Sequence, residues 1–262
     1  MKQPTISFHM KKMEAEWGVK LFQAKAGKIF LSKAGKILLP YATQITSLYS
    51  EAESKIAELR DNERTLLRVG CTDCAITAMA RSNWLTTLID KKDIQVTIQS
   101  GNEEALYDLL QSGMLDLVIC GQRPRDSHSF HYEKMASSAL KLVVPSGHPL
   151  LQVDELTSHN LNKYAFVEHS EASITELLTL WKAHLHWNLK VSAKFESAEM
   201  IINAVHAQLG LAILPKCILP DPDDRVVSLE LPGLLFEWSL YASWKPNYRN
   251  TPLLEQLIQF DA

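Results

Sequence analysis

Apolar residues recur along this chain with three spacings, and each spacing predicts a different kind of element. In the opening stretch Ile6, Met10, Met13 and Trp17 follow one another at helical steps, while Pro4, Ser7, Phe8 and Lys11 fall on the opposite side. That is one apolar stripe of a helix with its other face left free. Pro4 suits the first turn, where its missing N–H would have had no partner, and Gly18 ends the helix. Beyond it Lys20–Gln23 and Lys28–Leu31 flank Ala26 and Gly27, which predicts a short basic hairpin.

Over residues 33–62 a longer stripe follows: Leu38, Tyr41, Ile45, Leu48, Ala52, Ile56 and Leu59, with charged residues between them. A heptad-like stripe on so long a helix calls for a partner helix or, failing that, for packing on its own domain. Pro40 stands near enough to the helix start to be tolerated and marks a place for a bend. From Leu66 onward strands and helices alternate. Strands are expected at 66–70, 94–99, 115–120, 141–145, 164–168, 190–195, 210–214 and 237–244, and helices at 76–89, 103–112, 174–184, 198–208 and 252–260. Alternation of this kind predicts an α/β fold of parallel sheets covered by helices.

Composition adds little to this picture, but the distribution of charge changes it. At 262 residues, 46% hydrophobic and 22% charged, the chain is an ordinary globular one with room for a large core. No apolar run approaches the roughly 18–20 residues of a membrane span, and the start lacks the features of a signal peptide. A cytoplasmic location is expected, with no membrane partner and with the four cysteines reduced. The net charge of -3 conceals an uneven division. Eight lysines against Glu14 and Glu16 make residues 1–36 a +6 head, which leaves -9 for the remainder. A basic end on an acidic body suits contact with nucleic acid, whose phosphates supply most non-specific affinity; a solvated lysine-rich surface is the plainer alternative. Short polar residues at the start of the first helix, followed by a basic hairpin, look like a recognition helix and its wing. Candidate DNA contacts are Gln3, Pro4, Thr5, Ser7, Phe8, Lys11 and Lys28.

These residues carry a resemblance. Gln3-Pro4-Thr5-Ile6-Ser7, Met13-Glu14, Gly18-Val19-Lys20-Leu21-Phe22 and Leu31-Ser32-Lys33-Ala34-Gly35 resemble, in order and spacing, the LysR-type transcriptional regulator family. Leu67-Arg68-Val69-Gly70, Asp116-Leu117-Val118-Ile119, Gly147-His148-Pro149-Leu150 and Gly210-Leu211-Ala212-Ile213-Leu214-Pro215 extend the likeness over essentially the whole chain. It implies a partial winged helix-turn-helix at 1–31, a linker and dimerisation helix at 32–64, and an effector-binding domain at 65–262. That domain would comprise two periplasmic-binding-protein-like subdomains, 65–144 with 243–262 and 145–242, joined by strands crossing near 143–145 and 240–244 around a ligand cleft. Implied partners are promoter DNA, a small-molecule effector and further copies of the chain, as a homodimer or homotetramer. Two departures accompany the likeness. The family places a helix and the first half of the helix-turn-helix before the Gln-Pro pair, and Lys2 stands where it has Ser or Thr. The expectation is a start assigned too far downstream; the competing reading is a truncated small-molecule-binding dimer without autonomous DNA binding.

In open α/β sheets ligands sit beyond the carboxyl ends of strands, where helix N-termini point donors outward. That rule selects Thr72, Asp73, Ser100, Gly121, His169 and Glu196 as effector-site candidates. Thr72 leads because it also matches the position where the family carries a Ser or Thr at the ligand; its plainer role is to cap a helix. Asp73 and Glu196 would repel an anion unless paired, so the sign of the effector stays open. Ala80-Arg81 replaces the Leu-Pro usual after this first helical turn, which leaves the helix end undefined. Cys71-x-x-Cys74 fits either a redox pair at a helix start or two small buried side chains. His128 with His131 and His184 with His186 lack a companion pair at metal spacing, so neither metal nor cofactor is expected. Catalysis is not expected either, in the absence of a nucleophile elbow, a Walker loop or a dinucleotide fingerprint.

Overall fold

In a computed structural model of the chain, residues are described throughout except at 1–2, 26, 62–64, 83, 85, 87–93, 127, 222–224, 234–235, 247, 249–252, 255–257 and 259–262. The chain divides into two units, residues 1–62 and 63–262.

The first unit consists of helix α1 (Gln3–Trp17), strands β1 (Phe22–Lys25) and β2 (Lys28–Leu31), and helix α2 (Lys33–Asp61). Gly18 leaves α1 at φ +67°, a conformation that favours glycine. The first strand of the hairpin lies two residues beyond the predicted 20–23. The cause is Glu14, whose carboxylate accepts the backbone N–H groups of Leu21 at 2.7 Å and Phe22 at 3.2 Å and ties that segment to α1. Leu21 itself is 2% exposed. Helix α2 starts at a cap: the Ser32 hydroxyl accepts the Gly35 N–H at 3.0 Å. A Cβ at position 35 would run into the Leu21 carbonyl oxygen, so glycine is required there by close approach. Pro40 lies inside α2, which continues through it to Asp61. Ala26, and the side chains of Gln3, Pro4 and Leu59, lie outside the described residues.

The second unit contains β3 (Thr65–Cys71), α3 (Asp73–Arg81), β4 (Ile94–Ser100), α4 (Glu103–Ser112), β5 (Leu117–Cys120), β6 (His131–Pro145), α5 (Ser158–Leu161), β7 (Ala165–His169), α6 (Ala172–Leu185), β8 (Lys190–Phe195), α7 (Ala198–His206), β9 (Ala212–Pro215), β10 (Val226–Glu230) and β11 (Glu237–Trp244). One sheet runs β10-β6-β11-β5-β3-β4, with β9 also paired to β6, and β7 pairs with β8 separately. Strands β3, β4 and β5 are parallel, as are β7 and β8. The middle of the large sheet is antiparallel, which corrects the expectation of parallel sheets throughout. Strand β6 is the reason. It begins at His131 rather than 141 because its polar first half, which shows no clean alternation, pairs with β11 from Trp244 back to Glu237. Strand β10, absent from the predicted set, pairs with the second half of β6.

The α/β fold with two lobes agrees with the expectation from sequence. One lobe has β3, β4 and β5 with α3 and α4, the other has β7 to β10 with α6 and α7, and the long β6–β11 pair joins them. Apolar strand β5 is buried along its whole length, as a covered central strand should be. Helix α4 carries its own boundaries: Asn102 accepts the Ala105 N–H at 2.9 Å, and Gly113 closes the last turn at φ +76°. Helix α3 begins at Asp73, earlier than predicted; 83, 85 and 87–89 of the predicted span lie outside the described residues, as does most of the predicted helix 252–260. Arg68 and Asp116 make two parallel contacts at 3.0 Å and pin the edge of β3 to the entry of β5. Trp181, wholly buried, stacks edge-on to Trp187 and donates its indole N–H to the Pro232 carbonyl at 3.1 Å. Among the described residues no helix is long and apolar enough to cross a membrane.

Candidate functional site

The first unit presents α1 with little of its surface covered. Thr5, Ser7, Phe8 and Lys11 are exposed, as is Lys28 on the hairpin, and Gln3 and Pro4 form the start of the helix. The apolar stripe is only partly shielded: Met10 and Met13 are half-buried, whereas Ile6 and Trp17 are exposed. Glu14 fixes the hairpin against α1, accepting the Lys20 ammonium at 3.1 Å in addition to the two backbone donors. The backbone N–H of Leu21, the Lys20 ammonium and the N–H of Phe22 hold its carboxyl below the ordinary glutamate value.

In the second unit the strand ends of both lobes open onto one cleft of ≈ 1050 Å³. Two carboxylates cross it in opposite directions. Glu171, which precedes α6, accepts the Thr72 hydroxyl at 3.1 Å and the Cys74 backbone N–H at 3.1 Å, and so occupies the N-terminus of α3 on the facing lobe. The Ser173 hydroxyl supports it at 2.8 Å. Asp73, at the head of α3, reaches the other way to accept the Ala198 N–H at the start of α7 at 2.7 Å, and lies 3.2 Å from His169 Nε2. The His169 Nδ1 accepts the Glu171 N–H at 3.1 Å, which leaves Nε2 as the protonated nitrogen that donates to Asp73. Burial raises the Asp73 carboxyl, but the His169 and Ala198 hydrogen bonds outweigh it and hold the group below the ordinary aspartate value. Each lobe thus fills the other's helix N-terminus with a carboxylate, where the backbone donors and the helix dipole favour negative charge.

Five of the six effector-site candidates, Thr72, Asp73, Ser100, His169 and Glu196, line this cleft. Gly121 is not among the lining residues; a Cβ there would collide with Ser173 and the Trp238 indole, so it permits the close approach of α6. Thr72 occupies the N-cap position of α3, yet its side chain makes no capping bond and is committed to Glu171 instead. Glu171 and Glu103 escaped the sequence reading. A glutamate two residues past the strand-end His169 was a visible signal for the first. For the second there was none, because Glu103 is buried while its neighbours Glu104 and Ala105 are exposed, and the groups beside it, Glu171 and Ser173, are remote in the chain. Glu103 is 8% exposed, and its Oε1 has no hydrogen-bond partner among the described residues. Burial, then the charge of Glu171, pushes its carboxyl up to about 7, against partial relief from Ser173.

Burial also decides the reading of the thiols. Cys71, Cys74 and Cys120 are all buried, and desolvation drives each upward, Cys120 to about 12. That is the reverse of the shift that activates a thiolate. Asp73, Cys74 and His169 offer donor atoms within 4.8 Å of one another. The described geometry uses two of these three in a hydrogen bond, with the Cys74 thiol left protonated in an acidic setting.

With this geometry in view, the chain matches the LysR substrate binding domain family over residues 60–260. It is 27% identical over 217 residues to the HTH-type transcriptional regulator CfxR of Cupriavidus necator, covering 82% of this chain and 67% of that protein. It is 26% identical over 276 residues to the HTH-type transcriptional regulator MetR of Escherichia coli, covering 98% and 80%. Among solved structures, full-length CbnR complexed with its target DNA superposes with a TM-score of 0.72 at 16% identity, over 99% of this chain and 89% of that one. A full-length OxyR variant of Pseudomonas aeruginosa gives 0.68 at 18% identity, over 98% and 85%. At these identities the structural matches speak for the fold.

Proposed function

The chain belongs to the LysR family of transcriptional regulators, and on that premise we propose that it binds promoter DNA through its first unit under the control of a small molecule held in the cleft of its second. The curated relatives are named transcriptional regulators, and no enzymatic reading competes. The observation that carries the proposal is the crossed pair of carboxylates, Glu171 on α3 and Asp73 on α7. Cleft closure depends on a small set of hydrogen bonds between the lobes, and a ligand that replaces or adds to them prefers one cleft geometry over another. Such a ligand shifts the population of the two geometries by no more than its difference in affinity for them.

Supporting the DNA-reading role are the +6 head and the exposure of Thr5, Ser7, Phe8, Lys11 and Lys28, with Gln3 and Pro4 opening the helix. We assign residues 1–31 to DNA reading, 32–64 to pairing of α2 with α2 of a second copy, and 65–262 to effector sensing. Tyr41, Ile45, Leu48 and Ile56 are all exposed along α2, which is the surface such a homodimer, or a tetramer built from two of them, would cover. Thr72, Asp73, Ser100, His169 and Glu196 contact the effector, and Gly121 sets the spacing behind them. Gel shifts with duplex DNA flanking the gene, run at two salt concentrations, test this function. Binding that weakens steeply with salt and changes on adding a cleft ligand is the expected result; salt-insensitive binding, or none with and without ligand, refutes it.

A further inference from the structure

The chemistry of the cleft goes beyond its existence and says what sign of charge it lacks. Seven carboxylate side chains line it, against the two guanidinium groups of Arg123 and Arg125. Numbers alone would mean little, but the donors of two helix N-termini are already taken. The N-terminus of α3 is held by Glu171 and that of α7 by Asp73, and His169 Nε2 is spent on Asp73. Arg123 lies over the rings of Tyr132 and Tyr241 at 5.8 and 5.2 Å, so its charge faces aromatic surface. An incoming anion would find the N-termini of α3 and α7 occupied by the protein's own carboxylates.

What the cleft leaves unsatisfied is an acceptor. Glu103 is more than nine-tenths buried; Ser173 gives its carboxyl partial relief, but its Oε1 accepts no hydrogen bond from any described residue, and it faces Glu171 and Glu176 from the opposite lobe. A buried carboxylate with a bare oxygen is costly unless a donor, best a cationic one, arrives. Beside it, one helical turn along α4, Tyr107 packs against Phe130 with ring centroids 5.5 Å apart, and both rings line the same cleft. A carboxylate next to an aromatic wall is the arrangement that receives an ammonium or guanidinium group.

We infer that the effector carries a protonated amine or guanidinium, which enters the cleft against Tyr107 and Phe130 and donates to Glu103. The inference rests on the effector-binding role proposed above and adds the ligand's charge and its anchoring residue. Glu171 and Asp73 keep their posts on the helices, so the cation completes the closed cleft instead of displacing its latch.

Thermal shift and calorimetry on the full chain provide the test, with 1,4-diaminobutane, 1,5-diaminopentane, agmatine and L-lysine as one panel and succinate and glutarate as the matched anions. At pH 8 at least one amine is expected to raise the melting temperature, and Glu103→Gln is expected to weaken that amine by about tenfold or more while the variant itself melts no lower than the parent. Glu103→Asp, which keeps the charge on a shorter arm, should retain part of the response. If a dicarboxylate shifts the melting point and no amine does, the cleft binds an effector and the assignment of its charge is wrong. If neither panel acts, the effector reading of the cleft fails along with it. An amine response that survives unchanged in Glu103→Gln also overturns the inference, since the anchor would then lie elsewhere.

Discussion

Of the large apolar side chains in residues 1–62, Leu21 is buried, while Ile6, Phe8, Trp17, Ile29, Phe30, Ile45, Leu48 and Ile56 are exposed, Ile29 at 75%. In residues 63–262 the reverse holds: Leu67, Val69, Leu117, Ile119, Phe166, Trp181 and Trp238 are all closed off from solvent at 2% or less. The two units draw on the same kinds of residue, so composition does not explain the contrast. What differs is the number of layers. The second unit has sheets covered by helices and can bury its own apolar faces. The first has two helices and a hairpin, and beyond the half-buried Leu38 the described stripe residues Tyr41, Ile45, Leu48 and Ile56 of α2 are exposed. Full burial of one such side chain contributes roughly 1.5–3 kcal/mol, so eight exposed ones amount to a strong reason to associate. The first unit therefore leaves much apolar surface uncovered, and the second packs a core of its own.

The comparison can be broken most forcefully in the core of the second unit. Trp181→Ala removes a wholly buried indole and its bond to Pro232, and should cost roughly 3–5 kcal/mol in chemical denaturation. The same substitution at the exposed Trp17 should cost far less in a single chain. A loss at Trp17 as large as at Trp181 would mean that the first unit is a packed domain after all.

Next in size is Gly35→Ala. Its methyl group meets the Leu21 carbonyl, a backbone atom that cannot swing away, so a destabilisation of roughly 1–3 kcal/mol is expected. The damage should be local. Hydrogen exchange is expected to quicken around β1, β2 and the start of α2, with 63–262 unchanged, and a uniform effect on both units would contradict their independence.

Glutamates at Ile45 and Leu48 sharpen the contrast differently. Both side chains are exposed, at 66% and 65%, so the substitutions remove little packing within the first unit. In a dimer paired along α2 they would bury charge. Sedimentation should show the double variant as a monomer with an unaltered melting temperature for the second unit. A dimer that persists moves the interface away from α2.

A smaller, pH-dependent effect is expected at Glu103. Its folded value of about 7 lies above its ordinary 4.5, so the native state holds more protons than the unfolded state between those limits. Stability then falls as pH rises from about 4.5 to about 7 and is level above. The groups facing Glu103 are Glu171 and Glu176 at the head of α6, Tyr107 on its own helix and Cys120 on β5, each uncharged or negative. Glu103→Gln should therefore add roughly 1–3 kcal/mol at pH 8 and almost nothing at pH 4. Equal effects at the two pH values would remove the buried charge from the account.

Legibility in the sequence followed the same division between local and remote causes. Strands β8 and β11 and helix α4 lie at their predicted spans because alternation, an Asn cap and a closing Gly are all written locally. The first half of β6 and all of β10 were not legible, since partners distant in the chain make them strands. The strand-end rule selects Thr72, Asp73, Ser100, His169 and Glu196, all of which line the cleft, but could not tell that two carboxylates would exchange lobes. Thr72, the leading effector candidate, also stands at a helix-cap position. Its hydroxyl goes to Glu171, which lies 99 residues away.

The division of labour between the two units has one decisive measurement: calorimetric titration of the same amine into the full chain and into residues 63–262 alone. A folded fragment that binds with the affinity of the parent to within about twofold is expected, with Glu103→Gln weakening the amine by about tenfold or more in both contexts. A folded fragment that fails to bind what the full chain binds would contradict it, because sensing would then require the first unit.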